Sequence, residues 1–302
     1  MLRRIRHVLA MVLLLFATSA LAQTDSRLIE WEGVPSAYVQ PRNVTIWLPP
    51  GYDGGHRRYP VIYMHDGQNL FAPGHAYGGE EWGVDEALSQ MIASGQTRGA
   101  IVIGIWNTDR RGREYMPTKV AALLQSEQRT RVEAVHGGVS LGDDYLRFIV
   151  SELKPRVDAE FRTRPGRRDT SIMGSSMGGL ISLYAMGEYP ETFGRAASIS
   201  VHWPLGDPRE GQGVEPMPVA AAFATWLQHS ALTPRHHRLY MDHGTLGLDT
   251  YYQPYSQLIE RWFEAHGWQR GNGFQSRVFD GADHNERSWR GRLEIPLSFL
   301  LR

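Results

Sequence analysis

Apolar positions in this chain come in two alternating kinds of run. Short continuous ones, at residues 60–65 (PVIYMH), 100–105 (AIVIGI), 171–173, 195–200 and 238–242, read as strands buried on both faces of a sheet. Between them lie helix-period segments: 84–94, 142–157, 177–189, a weaker one at 218–229, then 252–266 and 286–301. In the second of these, Tyr145, Phe148, Ile149, Leu153 and Val157 share one face. Residues 37–40 and 43–48 read as strands around the Pro41 break, and 276–279 as the last strand. Strands alternating with helices at this spacing predict an α/β fold with a mainly parallel, doubly wound sheet and helices on both faces. No repeat or linker divides residues 23–302, which read as one domain. Residues 107–141 are rich in arginine and have no clear period, so the expectation there is an active-site loop or lid.

The most informative junction is where the strand at 171–173 meets the helix at 177–189. Gly174-Ser175-Ser176-Met177-Gly178 fits the G-x-S-x-G pattern of a nucleophile elbow, in which a strained strand-to-helix turn exposes one serine hydroxyl. Ser176 is that serine. Side chains two positions to either side of it would strike the neighbouring strand and helix, and both positions are glycine. Its place at a helix N-terminus leaves the Met177 amide free to meet a developing oxyanion.

A serine nucleophile needs a base and an orienting acid, which in this strand-turn-helix arrangement follow the serine in the order acid, then histidine. Of the twelve histidines, His284 lies in a small-residue loop after the last expected strand, where catalytic groups collect in open α/β sheets; His202 and His243 are the alternatives. For the acid, Asp249 lies past the strand at 238–242, in the sequence Asp242-His243-Gly244-Thr245-Leu246-Gly247-Leu248-Asp249. Asp242 is the alternative if that strand ends sooner, and Asp283 reads as a cap for the last helix. The second oxyanion donor is expected just after the strand at 60–65, where the Gln68 amide follows Gly67. Pocket candidates from the same sheet edge are Glu81, Trp82, Trp106, Arg113, Tyr115, His202 and Trp203, with Arg111 and Arg113 candidates for an anionic or catecholate-type substrate. No metal-ligand spacing such as H-E-x-x-H occurs, so neither a metal nor another cofactor is expected.

Composition narrows the setting. Arg3, Arg4 and Arg6 precede an apolar run at 8–16, and Ala20-Leu21-Ala22 supplies a small-x-small site, so residues 1–22 read as a secretory signal peptide. The expected location is periplasmic or secreted, with no membrane association after cleavage. The full chain carries 32 basic and 32 acidic residues, and losing the three leader arginines leaves the mature chain at about −3. No nucleic-acid partner is implied. Cysteine is absent, which removes disulfides, thiolate nucleophiles and cysteine metal sites.

Several segments resemble one family. Residues 64–71 (MHDGQNLF), 102–107 (VIGIWN), 113–117 (REYMP), 174–180 (GSSMGGL), and His284 followed by Trp289 are similar to the esterase family of α/β-hydrolases. That family includes enterochelin (siderophore) esterase-like proteins, feruloyl and acetylxylan esterases, S-formylglutathione hydrolases and mycolyltransferases. The resemblance covers about residue 28 to the C-terminus. It implies an α/β-hydrolase fold, a Ser176, Asp249, His284 triad, the Gln68 and Met177 amides as oxyanion hole, and a small-molecule ester as substrate. Export and the absence of cysteine point away from the cytosolic glutathione-linked branch. Two alternatives share the sequence features: an acyltransferase with the same triad, and a non-catalytic binding protein on a hydrolase scaffold.

Overall fold

The continuous apolar runs form the middle of a nine-stranded sheet in a computed structural model that describes residues 26–271 and 273–302. The signal-peptide reading of residues 1–22 lies outside the described residues. The strands are β1 (Arg27–Val34), β2 (Arg42–Leu48), β3 (Val61–His65), β4 (Ile101–Ile105), β5 (Thr170–Ser175), β6 (Arg195–Ile199), β7 (Arg238–Gly244), β8 (Gln269–Arg270) and β9 (Gly273–Phe279). Their spatial order is β1-β2-β4-β3-β5-β6-β7-β9-β8. The β1–β2 and β2–β4 pairs are antiparallel; from β4 onward every pair is parallel.

The helices are α1 (Val84–Ala93), α2 (Arg111–Glu114), α3 (Thr118–Ala122), α4 (Ser126–Val135), α5 (Gly142–Phe148), α6 (Lys154–Glu160), α7 (Met177–Glu188), α8 (Pro216–Gln228), α9 (Gln253–Ala265), α10 (Glu286–Arg290) and α11 (Glu294–Leu301). None is long and apolar enough to cross a membrane among the described residues. Alternation along each strand splits the core in two. In β3, Val61 and Tyr63 join one cluster with Ile103, Ile172, Phe148 and Leu180, whereas Ile62 and Met64 join another with Leu88, Met91, Leu297 and Leu300. Both faces are therefore covered by helices, which is why the central strands are nearly continuous apolar runs.

Three expectations need correction. The first strand is 27–34, not 37–40: the Ser36 hydroxyl takes the Tyr38 and Val39 amides at 2.9 and 3.2 Å and turns the chain there. β1 escaped notice because it is an edge strand exposed on both faces apart from Val34, Ile29 and Trp31, so its sequence, RLIEWEGV, does not alternate cleanly. Residues 107–141, which show no period, hold three short helices, and Tyr115, Met116, Val120 and Val132 in this stretch are buried. α4 buries only Val132, which leaves no period to read. The helix at 142–157 continues to Glu160 through a π turn at Ile149–Leu153, just before Pro155, whose missing amide disturbs the regular ladder. The last helix is two, α10 and α11, parted at Gly291–Leu293.

Candidate active site

The sheet brings the C-terminal ends of β3, β5, β6 and β7 to one edge, and the chemistry-bearing residues project from there. β5 ends at Ser175, and Ser176 takes φ 57° and ψ −123° before α7 begins at Met177. A non-glycine residue in that region is strained, by about 1–3 kcal/mol. The strain is held by the Ser176 amide donating to the Ile199 carbonyl at 2.9 Å and by the close approach of the two glycines: a Cβ on Gly174 would lie 2.9 Å from the Gly178 backbone.

Ser176 Oγ lies 3.0 Å from His284 Nε2, and His284 Nδ1 lies 2.6 Å from Asp249 Oδ1. Asp249, 1 % exposed, sits on a short turn at Gly247–Tyr251. Its second oxygen accepts the Ser200 hydroxyl at 2.6 Å and the Gly244 amide. Burial alone would raise its pKa, but the hydrogen bonds and charge of His284, with those of Ser200 and Gly244, outweigh it and hold the carboxyl below its ordinary value. The ring of His284 is wedged edge-on between Tyr252 and Trp289 at 5.6 and 5.1 Å.

The alternatives to these residues are engaged elsewhere. β7 runs two residues past Asp242, which therefore stays within the sheet and pairs with Arg292 at 3.1 Å in the buried interior, also accepting the Tyr240 hydroxyl. Arg292 also donates to Ser200 Oγ at 2.8 Å, so this pair braces the hydroxyl that holds Asp249. Neither Ser200 nor Arg292 was anticipated, since neither carries a motif. His202 is buried between the Tyr252 hydroxyl (2.7 Å) and the Gly206 carbonyl (3.0 Å), and burial pushes its pKa down to about 3. His243 is buried and bonded to the Gly244 carbonyl. Asp283 does not cap the final helix; Asn285 caps α10, accepting the Ser288 amide at 2.9 Å.

The amides of Gln68 and Met177 have no backbone carbonyl partner among the described residues. Gln68 is placed by a tight turn: Asp66 adopts φ 57°, and a Cβ on Gly67 would come 2.4 Å from the Gly104 carbonyl carbon. Gly67→Ala is expected to displace this turn from β4, lowering Tm by several degrees and stability by about 2 kcal/mol or more, read by thermal unfolding. Asp66 anchors the turn through Arg111 (2.7 and 2.8 Å) and Asn107 (2.6 Å), and these bonds, against the opposing effect of burial, keep its carboxyl below the usual range.

A pocket of about 440 Å³ opens over Ser176 and His284, lined also by Gln68, His75, Asn107, Arg111, Glu286 and Trp289. The expected lining residues fare differently. Trp82 and Trp203 are 1 % exposed and belong to the core, Trp82 against Trp289 and Trp203 against Phe223. Tyr115 is fully buried, its hydroxyl accepting the Asp66 amide. Arg113 turns away to the Val139 carbonyl, and Glu81 to Arg290. Trp106 is one layer back, behind His75 at 5.1 Å and donating to Thr45. Tryptophan and tyrosine so large and so apolar fill a core more readily than a polar cleft. Glu286, missed in the sequence, is two residues past His284 and was shadowed by the loop's own Asp283.

The sheet order, the turn at Ser176 and the convergence of a serine, a histidine and a carboxylate at the strands' C-terminal edge define an α/β-hydrolase. Solved structures agree on the fold: a ferulic acid esterase superposes with a TM-score of 0.65 at 17 % identity, over 92 % of this chain and 99 % of that one. An IroE-like serine hydrolase from Shewanella oneidensis gives 0.62 at 19 %, over 91 % and 79 %, and the enterobactin esterase of Shigella flexneri 0.61 at 20 %, over 92 % and 59 %. Residues 36–298 match the family described as "Putative esterase", and the chain belongs to that family. Among curated proteins it is 30 % identical over 159 residues to the uncharacterized protein YbbA of Bacillus subtilis (strain 168), covering 53 % of this chain and 56 % of that one. A second, YjcH of the same organism, is 25 % identical over 149 residues, 49 % of this chain and 51 % of that one. The matches span about half the length of these relatives.

Proposed function

We propose that this chain is a serine carboxylic-ester hydrolase working through an acyl-enzyme, with Ser176 as nucleophile, His284 as general base and then acid, and Asp249 as the orienting carboxylate. The observation that carries this is the unbroken relay from Ser176 Oγ through both ring nitrogens of His284 to Asp249, at 3.0 and 2.6 Å. A carboxylate can only accept, so Nδ1 carries the proton and Nε2 is left free to take the one from Ser176. The hydroxyl oxygen then attacks the ester carbonyl. The Gln68 and Met177 amides receive the oxyanion, each contributing about 3–4 kcal/mol to the transition state. Collapse expels the alcohol with the proton from His284, and water repeats the sequence to release the acid. Labelling by a fluorophosphonate, followed by a screen of acetyl, feruloyl and siderophore-type esters, tests the proposal; failure to label, with no ester turned over, refutes it. Residues 1–22, read as a secretory leader, support a periplasmic or secreted location.

The pocket favours a small or medium ester that is neutral and rich in hydrogen-bonding groups. Arg111 is spent on Asp66, so it offers no unmatched positive charge to an anionic substrate. Glu286, 8 % exposed, has among the described residues one side-chain partner, Asn69 Nδ2 at 3.4 Å, and burial pushes its pKa up despite a bond from its own amide, the mark of a carboxylate whose charge is poorly compensated. Glu286→Gln is expected to raise kcat/KM for an ester bearing a free carboxylate, relative to its neutral analogue, by about three- to tenfold at pH 8. An unchanged ratio of the two rate constants would remove Glu286 from substrate selection.

A further inference from the structure

A second cavity, of about 540 Å³, lies at the opposite end of the sheet from Ser176, where β3, β4, β5 and β6 begin. Arg57, Arg98, Arg164, Arg168, Arg195 and Arg302 line it, against a single carboxylate side chain, Asp169. Asp169 is taken by Arg164 at 3.2 Å. Arg57 leans over the Tyr59 ring and donates to the Arg98 carbonyl, and Arg195 donates to the Leu300 carbonyl. The Arg302 oxygen is engaged by Arg238 at 3.2 Å. Arg98, Arg168 and Arg195 have no carboxylate partner among the described residues.

Two features separate this cavity from a merely basic surface. Arg195 is half-buried at the head of β6, in register with Arg238 of β7; its pKa is pushed down by burial first and by Arg238 second, with Asp169 only partly offsetting them. Ser171 is the cross-strand neighbour of Arg195 and lines the same cavity, and its hydroxyl makes no hydrogen bond among the described residues, so it is free to serve a ligand there. A concentration of like charge with a single carboxylate to offset it is relieved when an anion binds. Guanidinium forks match the paired oxygens of phosphate and carboxylate, and a cavity of this volume suits a small molecule rather than a polymer.

We infer that this cavity is a binding site for a compact, multiply charged oxyanion, remote from the ester pocket and independent of it. Its ligand presents two or more phosphate or carboxylate groups to Arg98, Arg168 and Arg195 and takes the Ser171 hydroxyl. Calorimetric titration of the full chain with inorganic pyrophosphate in one arm and citrate in the other, at physiological salt, tests it. Saturable one-to-one binding of at least one is expected, and the tighter of the two names the ligand's chemistry. Arg98 and Arg168 are exposed, so Arg98→Ala/Arg168→Ala should keep its Tm and its turnover of a neutral ester while binding the anion about tenfold or more weakly. Ser171→Ala should weaken binding severalfold. The control pair Arg129→Ala/Arg147→Ala, exposed on α4 and α5, should bind as wild type does. No binding of either anion, or equal weakening by the control pair, overturns the inference.

Discussion

Ser176→Ala is expected to lose about 10⁴-fold or more of kcat toward p-nitrophenyl acetate, and all labelling by a fluorophosphonate, with Tm unchanged to within about 2 °C. The activity loss follows because, among the described residues, the hydroxyl that bonds His284 Nε2 is that of Ser176, at 3.0 Å. The stability forecast follows from what the side chain does not do. Its hydroxyl is taken up with the groups beside it, Tyr252 and that imidazole, while the strained φ of 57° is imposed by the turn around it, and alanine inherits the same strain. Activity retained at a tenth of wild type or better would exclude Ser176 as the nucleophile and with it the acyl-enzyme.

The second large effect separates two aspartates that the sequence left in competition. Asp249→Asn is expected to cut kcat by about 10³–10⁴-fold, because an amide in place of the carboxylate no longer holds the proton on Nδ1 and leaves Nε2 the wrong tautomer to accept from serine. Asp242→Asn removes one half of a buried ion pair with Arg292 and is expected to cost about 3–5 kcal/mol of stability with a far smaller change in kcat per folded molecule. Kinetics and thermal unfolding of both variants, side by side, check this; the reverse pattern would make Asp242 the functional acid. The pH dependence has a defined sign. Because the folded-state pKa of Asp249 lies below the unfolded value of about 3.9, its contribution to stability is complete above that pH and is lost as pH falls through the lower folded value. Wild type should therefore lose stability more steeply than Asp249→Asn below about pH 4.

What could be read in advance was whatever a short stretch of chain dictates by itself. β3, β4 and β5 are buried at every position and largely apolar because both faces are covered, and the turn at Ser176 declares itself through two glycines that a Cβ would forbid or crowd. His284 and Asp249 were legible because topology puts the loops after β9 and β7 at the same edge. The pocket walls were harder. Trp82, Tyr115 and Trp203 sit close in sequence to strand ends that face the site, but a large ring chooses its side by the space left in the packing, which no local pattern records. The same holds for the Ser200, Arg292 and Asp242 brace: its members lie on β7, after β6 and after α10, and each taken alone is an unremarked polar residue.

The order in which the chain supplies these parts has a further consequence. The elbow, its glycines and both amides belong to the first 178 residues, whereas the imidazole arrives only with the final loop before α10. A polypeptide still emerging from its N-terminus would thus carry a finished but powerless hydroxyl, and turnover would begin only when the closing strand and helices dock. On the mechanism proposed above, hydrolysis by this chain would then serve as a gauge of completed folding.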